Sequence, residues 1–393
     1  MVLYVSRKVK NLPAYLFSEF QRKKKELQAK GVDVIDLGIG APDLPTPNFI
    51  YQKLVEEAKK PENHKYSPYS GCNEFREAVA DFYQRHYAVS LNPETEVLTL
   101  IGTKEGIANL VQSVINPGDK VLVPDPGYPV YRSAVHLAGG KSISLPLDEI
   151  DGTPLLERIQ KKDVKSAKLM FLNYPCNPTT ATVNLATYKR AVSFAKRNSI
   201  AIANDAAYDL LTFDGYKAPS IMQVADAKKH AVEFGTLSKS FSMAGWRIGY
   251  VVGNKEMIQS LATLKSNIDT SQFLAIQKAA AHALQSDFVT VKENNQIYKE
   301  RIDFFHAALL KLGIYAQKPK GTFFIWAKVP ASYTSMEFAD LLLNKAGIIV
   351  TPGSAFGQRG EGFVRIALTV PVARLEEVIR RWKELKLNEV NSS

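Results

Sequence analysis

Thr236-Leu237-Ser238-Lys239-Ser240-Phe241-Ser242-Met243-Ala244-Gly245-Trp246-Arg247-Ile248-Gly249 brings hydroxyls, an amine and a guanidinium together in one short run. A lysine amine can hold an aldehyde cofactor covalently as a Schiff base. Hydroxyls and a planar guanidinium can grip a phosphate on the same molecule. A surface lysine in a polar turn is the competing reading, and it is a strong one in a chain with 50 Lys and Arg. The covalent reading therefore depends on partners elsewhere in the sequence.

Outward from this run the pattern is α/β. Short apolar stretches read as strands at Val97 to Ile101, Lys120 to Pro124, Leu169 to Asn173, Ile200 to Asn204, Ala231 to Gly235 and Arg247 to Gly253. Between them lie helical spacings, such as Phe75, Val79, Phe82 and Tyr83 within Asn73 to Ala88, and Ile107, Leu110, Val111, Val114 and Ile115 within Lys104 to Ile115. Alternation of this kind predicts a mostly parallel sheet flanked by helices, whose ligands bind at the carboxyl ends of the strands. After about residue 285 the texture changes to a long polar helix, shorter strands (Thr322 to Lys328, Ile348 to Thr351, Phe363 to Thr369) and a charged helix from Val372 to Leu385. The expected organisation is a large domain over 46–285 and a discontinuous small α+β domain from 1–45 and 286–393. The first segment holds a helix around Phe17 to Ala29 and a strand from Val32 to Leu37; residues beyond about Asn388 are expected to fray.

Chemistry-bearing residues recur at the predicted strand ends. Asp205 follows an apolar strand, where a carboxylate can keep a pyridine nitrogen protonated or simply cap the chain; Tyr208, three residues on, can donate its phenol to a ring oxygen. Gly102, Thr103 and Lys104 stand where a strand meets a helix, and the free N–H groups there favour an anion. With Thr236, Ser238 and Arg247 they make a multi-point phosphate cup. Tyr128, in Asp125-Pro126-Gly127-Tyr128, is placed to stack on a ring or to pack in the core. Asn177, in Asn173-Tyr174-Pro175-Cys176-Asn177-Pro178-Thr179, presents an amide from a loop stiffened by prolines. Arg365 interrupts the apolar run Phe363 to Leu368, and a buried arginine requires either an internal carboxylate or a bound anion.

Taken in order and spacing, Lys65-Tyr66, Asp125-Pro126-Gly127-Tyr128, Asn177-Pro178-Thr179, Asp205-Ala206-Ala207-Tyr208, Ser238-Lys239 with Arg247, and Arg365 resemble the class I/II aminotransferases of the fold-type I pyridoxal-phosphate enzymes over nearly the whole chain. The resemblance implies a seven-stranded, mostly parallel sheet in the large domain and pyridoxal 5'-phosphate as cofactor. It implies that Lys239 is the covalent anchor and proton shuttle, that Asp205 pairs with the pyridine nitrogen, and that Tyr208 and Asn177 contact the ring oxygen. Tyr128 would stack on the ring, while Thr103, Lys104, Thr236, Ser238 and Arg247 would serve the phosphate. Tyr66 would reach the phosphate of the neighbouring subunit, which implies a homodimer with shared active sites. Arg365 would hold the substrate carboxylate with Gly40 alongside, and Asn267 would contribute across the interface. Two positions depart from the family's pattern: Thr180 stands where Asn-Pro-Thr is usually followed by glycine, and Thr236 replaces a serine while keeping the hydroxyl.

Composition excludes several other classes. No stretch approaches the ~18 apolar residues of a membrane span, and the start lacks the apolar core of a secretion signal. The two cysteines, Cys72 and Cys176, fit reduced thiols in the cytoplasm, and no His/Cys spacing suggests a metal. The formal charge of +11 is scattered, with Arg22 to Lys25 the one dense basic run, so nucleic acid is not an expected partner. The expected partners are a small amino acid and a 2-oxo acid such as 2-oxoglutarate, exchanged by ping-pong kinetics.

For the donor, Leu12 to Phe17, Gly31 to Gly38 and Pro42 to Pro47 resemble the LL-diaminopimelate and aspartate aminotransferase-like branch, in which Tyr15 would line the substrate pocket. A distal ammonium calls for a carboxylate, and Tyr66-Ser67-Pro68-Tyr69-Ser70-Gly71 carries none. That favours an aspartate/glutamate-type or broad donor, with LL-diaminopimelate as the alternative. A pyridoxal-dependent C–S lyase would keep the same cofactor residues. A non-enzymatic regulator of this fold would need a DNA-binding module, for which there is no room before Tyr15.

Overall fold

Runs of β-branched and large apolar residues bounded by polar loops form the strands, and their pairing fixes where the functional residues meet. The computed structural model describes residues 4–12 and 16–385, the side chains of 16–21 excepted. Tyr15 and everything after 385, including the stretch expected to fray, lie outside the described residues. Strand β1 (Ile35–Asp36) belongs to a small sheet near the C-terminal elements. The strands β2 (Val97–Leu100), β3 (Lys120–Asp125), β4 (Lys141–Pro146), β5 (Ala167–Asn173), β6 (Ala201–Asp205), β7 (Ala231–Thr236) and β8 (Gly249–Gly253) form one seven-stranded sheet in the order β2-β8-β7-β6-β5-β3-β4. Only β8 runs against the others: it is antiparallel to both β2 and β7.

Period-two alternation sends successive side chains to opposite faces. Phe171, Ala203, Phe234 and Val251 pack on one face with the helices Thr103–Val114, Pro129–Leu137 and Lys255–Ser266. Met170, Leu172, Ile202 and Val252 pack on the other with Asn73–Tyr87, Leu185–Asn198 and Leu274–Leu284. Each large side chain buried in this way contributes roughly 1.5–3 kcal/mol.

Two sequence expectations need correction. Arg247 and Ile248 do not open a strand: Arg247 takes a left-handed conformation, φ 55°, closing the short turn Ala244–Trp246, and β8 begins at Gly249. The expected strand Ile348 to Thr351 is interrupted at Val350, giving β10 (Ile348–Ile349), paired in parallel with β1, and β11 (Thr351–Pro352). The edge strand β4 was absent from the sequence reading. Its first four residues, Lys141 to Ser144, are at least partly exposed, so it lacks an apolar run.

A second core surrounds the antiparallel sheet of β11, β12 (Phe363–Ala367) and β9 (Phe324–Lys328). The helices Val289–Lys311, Ser335–Ala346 and Val372–Glu384 cover it through Tyr298, Phe305, Phe338, Leu342, Leu375 and Trp382. Buried Arg301 ties the segment after β1 to this core, donating to both carboxylate oxygens of Asp43 at 2.8 and 2.9 Å and to Leu368 O at 3.1 Å. Among the described residues no helix is long and apolar enough to cross a membrane.

Candidate active site

The parallel register brings the carboxyl ends of β5, β6 and β7 side by side, pairing Asn173 with Asp205 and Asp205 with Phe234. A cavity of ≈ 430 Å³ opens at this edge. Twelve of the residues singled out above line it: Gly40, Thr103, Lys104, Tyr128, Asn177, Asp205, Tyr208, Thr236, Ser238, Lys239, Arg247 and Arg365. Ile39, Asn173, Ala207, Ala244 and Phe324 complete the wall. Tyr66 and Asn267 do not line it. Tyr66 is 90% exposed, and Asn267 follows the helix Lys255–Ser266, its Nδ2 donating to Thr263 O at 2.9 Å. Both were assigned to the site of a neighbouring subunit.

One end of the cavity is built for an anion. The helix Thr103–Val114 starts here, after Gly102 at φ 82° and with no side chain capping it, so its N-terminus is turned to the cavity. A Cβ on Gly102 would collide with the Arg247 guanidinium, so glycine lets the arginine lie against the turn. Arg247 is held in turn through Ala244 O, to which its Nη1 donates at 2.8 Å. The Thr236 hydroxyl donates to Ile248 O at 3.3 Å and accepts from Ser238 N at 3.1 Å, fixing the bend on which Ser238 and Lys239 sit.

Lys239 and Asp205 occupy the middle. Lys239 Nζ donates to Gly40 O at 2.6 Å and lies 5.8 Å from the centroid of the Tyr208 ring. Gly40 can approach because it lacks a Cβ, which would strike the Phe324 ring. Asp205 accepts from Tyr131 Oη at 2.8 Å and from Ala207 N at 3.2 Å, while its own carbonyl accepts from Asn173 Nδ2 at 2.7 Å. Burial pushes the Asp205 carboxyl up to about 6, against the pull of the Tyr131 hydrogen bond. Burial also pushes the Lys239 amine down to about 8, and the Arg365 charge adds to that. Tyr208 is held above its ordinary value by burial and keeps its proton.

At the far wall Arg365 is 2% exposed. Its guanidinium donates to Asn177 Oδ1 at 2.8 Å and to Gly38 O at 2.7 Å, and it lies 4.3 Å from the Phe324 ring centroid and 4.9 Å from that of Phe356. Asn177 thus touches Arg365 as well as facing the cavity, a link that the spacing did not reveal. Thr180 takes φ 63°, a region glycine favours, at a cost of about 1–2 kcal/mol. Its N–H still closes the loop on Cys176 O at 2.9 Å. Tyr131 is the residue that sequence reasoning missed. It stacks on Phe171 at 4.6 Å and reads, by spacing, as a core aromatic of its helix. Its one signal was a position three after Tyr128, on the same helical face.

An aldehyde-bearing aromatic phosphate fits this donor set: an anion cup at one end, an amine, and a buried acid in the floor. Without that ligand the two central groups burden the fold. Lys239 binds fewer protons folded than unfolded between about pH 8 and its ordinary 10.5, so the stability of cofactor-free protein rises with pH across that window. Urea titrations of cofactor-free protein are expected to register this rise, and Lys239→Met is expected to remove it. An equal rise in the variant would place the titration elsewhere.

The family described as aminotransferase class I and II matches residues 32–381. An LL-diaminopimelate aminotransferase of Aquifex aeolicus is 48% identical over 383 residues, covering 97% of this chain and 99% of its own. Its namesake from Moorella thermoacetica is 46% identical over 381 residues, covering 97% and 98%. Among solved structures, substrate-bound BacF from Bacillus subtilis is 41% identical, covers 98% of each chain and superposes with a TM-score of 0.94.

Proposed function

We propose that this chain, which belongs to the class I and II aminotransferases, moves an amino group from LL-diaminopimelate to a 2-oxo acid such as 2-oxoglutarate, as a cytoplasmic homodimer. The activity class is that of a pyridoxal-phosphate-dependent aminotransferase. The substrate rests on one observation: relatives that match this chain almost end to end at 46 and 48% identity carry that name. It replaces the aspartate/glutamate-type donor favoured by the sequence alone.

When bound, pyridoxal phosphate supplies an aldehyde carbon for a lysine amine and a ring that draws electrons from the neighbouring substrate carbon. In this reading Lys239 anchors it, and its amine, once freed, takes the proton from the substrate Cα. Asp205 faces the pyridine nitrogen, Tyr208 and Asn177 the ring oxygen, and Tyr128 the ring. Thr103, Lys104, Thr236, Ser238 and Arg247 hold the phosphate, and Tyr66 reaches that of the partner subunit. Arg365, with Gly40 beside it, takes the substrate carboxylate; Tyr15 and, across the interface, Asn267 complete the pocket. The support is the convergence of twelve of these residues on one cavity.

Mixing the holoenzyme with single amino acids, without acceptor, and following the cofactor's visible absorbance tests the donor. LL-diaminopimelate should convert the spectrum at micromolar to millimolar concentration, whereas conversion by aspartate or glutamate alone would defeat the proposal. A broad donor range is the second reading. It is favoured because Asp205 is the only acid among the described residues lining the cavity, leaving no carboxylate there for a distal ammonium. For Arg365→Ala the expected result is a KM about 100-fold higher for every donor, since a bidentate carboxylate contact is lost. A loss confined to dicarboxylic donors would assign Arg365 to the distal carboxylate.

A further inference from the structure

A larger cleft, ≈ 790 Å³, lies away from Lys239 between the end of the helix Asn73–Tyr87, the segment that follows β6 and the start of the helix Val289–Lys311. Its chemistry is unbalanced in a specific way. Asp209 lines it half-buried and accepts from Tyr87 Oη at 3.0 Å and Leu210 N at 2.8 Å; among the described residues no basic side chain pairs with it. An ionised carboxylate accepts about four hydrogen bonds, so these contacts leave it short of donors. Burial, with the nearby Glu233 charge adding to it, pushes the Asp209 carboxyl up to about 7 despite the Tyr87 hydrogen bond.

Asn295 lines the same cleft with its Nδ2 donating to Leu210 O at 2.7 Å, which fixes the amide, and its Oδ1 is buried without a donor. An ammonium would supply the donor that each of these oxygens lacks and would draw the Asp209 carboxyl, raised to about 7 by burial, back to its ionised form. The walls are apolar, with Phe213 and Phe288 both buried to under a tenth. Lys217 and Lys292 line the cleft as exposed side chains and, among the described residues, have no carboxylate within salt-bridge distance. The cleft's other lysine, Lys299, is already paired with Asp214 and Asp303.

We propose that this cleft is a second small-molecule site that takes an amino acid with separated charges. Its ammonium lies on Asp209 and Asn295 Oδ1, its apolar chain lies against Phe213 and Phe288, and its carboxylate faces Lys217 and Lys292. The site uses no residue of the cavity around Lys239 and stands whichever amino donor the enzyme uses.

The test is calorimetric titration of the holoenzyme with ε-aminocaproate, n-hexylamine and caproate, with the cofactor's visible spectrum recorded in parallel. The expected result is that ε-aminocaproate binds best and leaves the spectrum unchanged. Asp209→Asn should weaken it about 10-fold or more through loss of the charged hydrogen bond. Lys292→Glu, at an exposed position that leaves the fold intact, should weaken ε-aminocaproate about 5-fold while leaving n-hexylamine unaffected. Should Asp209→Asn fail to fold, the contrast between the two ligands in Lys292→Glu decides alone. Absence of binding, binding equal in wild type and variants, or binding that shifts the cofactor spectrum and so occurs at Lys239, each overturns the proposal.

Discussion

Lys239→Ala is expected to lower kcat for every donor by ~10⁴-fold or more, because in the proposed reading one substitution removes both the covalent tether and the proton-transferring amine. The geometry makes the loss hard to compensate. Lys239 Nζ sits between Gly40 O and the Tyr208 ring, its charge disfavoured by burial and by Arg365, so a neutral amine is accessible near pH 8. Among the described residues Lys104 is the one other lysine lining the cavity, and it stands in the first turn of the helix Thr103–Val114 at the anion cup. Steady-state rates of both alanine variants separate the two amines. Lys104→Ala should act mainly on cofactor retention, and a Lys239→Ala protein turning over near the wild-type rate would remove Lys239 from the chemistry. Absorbance of the purified variants gives an independent readout, since only loss of the anchoring amine should change the colour of the bound cofactor without emptying the site.

The legibility of this site follows from the physics of its parts. β5, β6 and β7 are buried on both faces, so they read as near-continuous apolar runs, and each ends in a polar residue that lines the cavity: Asn173, Asp205 and Thr236. Arg365 was legible for the complementary reason, as a charge where the strand demands apolar side chains. β4 escaped because an edge strand need not be apolar, and the reversed direction of β8 escaped because periodicity records which face a side chain takes and carries no sign of chain direction. The misreading of Arg247 as a strand residue has a local cause: its left-handed backbone is rare for a side-chain-bearing residue, and it is favourable here because Gly102 leaves room for the guanidinium.

Donor choice was illegible for a different reason. Of the residues assigned to the substrate pocket, Tyr15 falls outside the described residues, and Asn267 lies away from the cavity on the surface of the single chain. Specificity of this kind is a difference of small terms among loops, and short polar loops such as Tyr66 to Gly71 carry no periodicity to read.

Asp205→Asn is expected to lower kcat by ~10³-fold, the scale set by losing one preorganised charged contact in a buried site. The isosteric amide can still accept from Tyr131 Oη, so the loss would measure charge and not shape. Asp205→Ala removes both and should in addition lose cofactor on gel filtration. Tyr131→Phe separates the two contributions. The Tyr131 hydrogen bond favours the ionised carboxylate, so deleting it raises the Asp205 pKa. Because the role proposed for Asp205 requires the ionised form, the acid limb of the kcat/KM profile should move to higher pH, while the plateau at alkaline pH falls by only about 10-fold, the worth of one hydrogen bond to a charged group. A Tyr131→Phe enzyme with a lowered plateau and an unmoved acid limb would mean that Tyr131 only packs against Phe171 and that the charge of Asp205 is set without it.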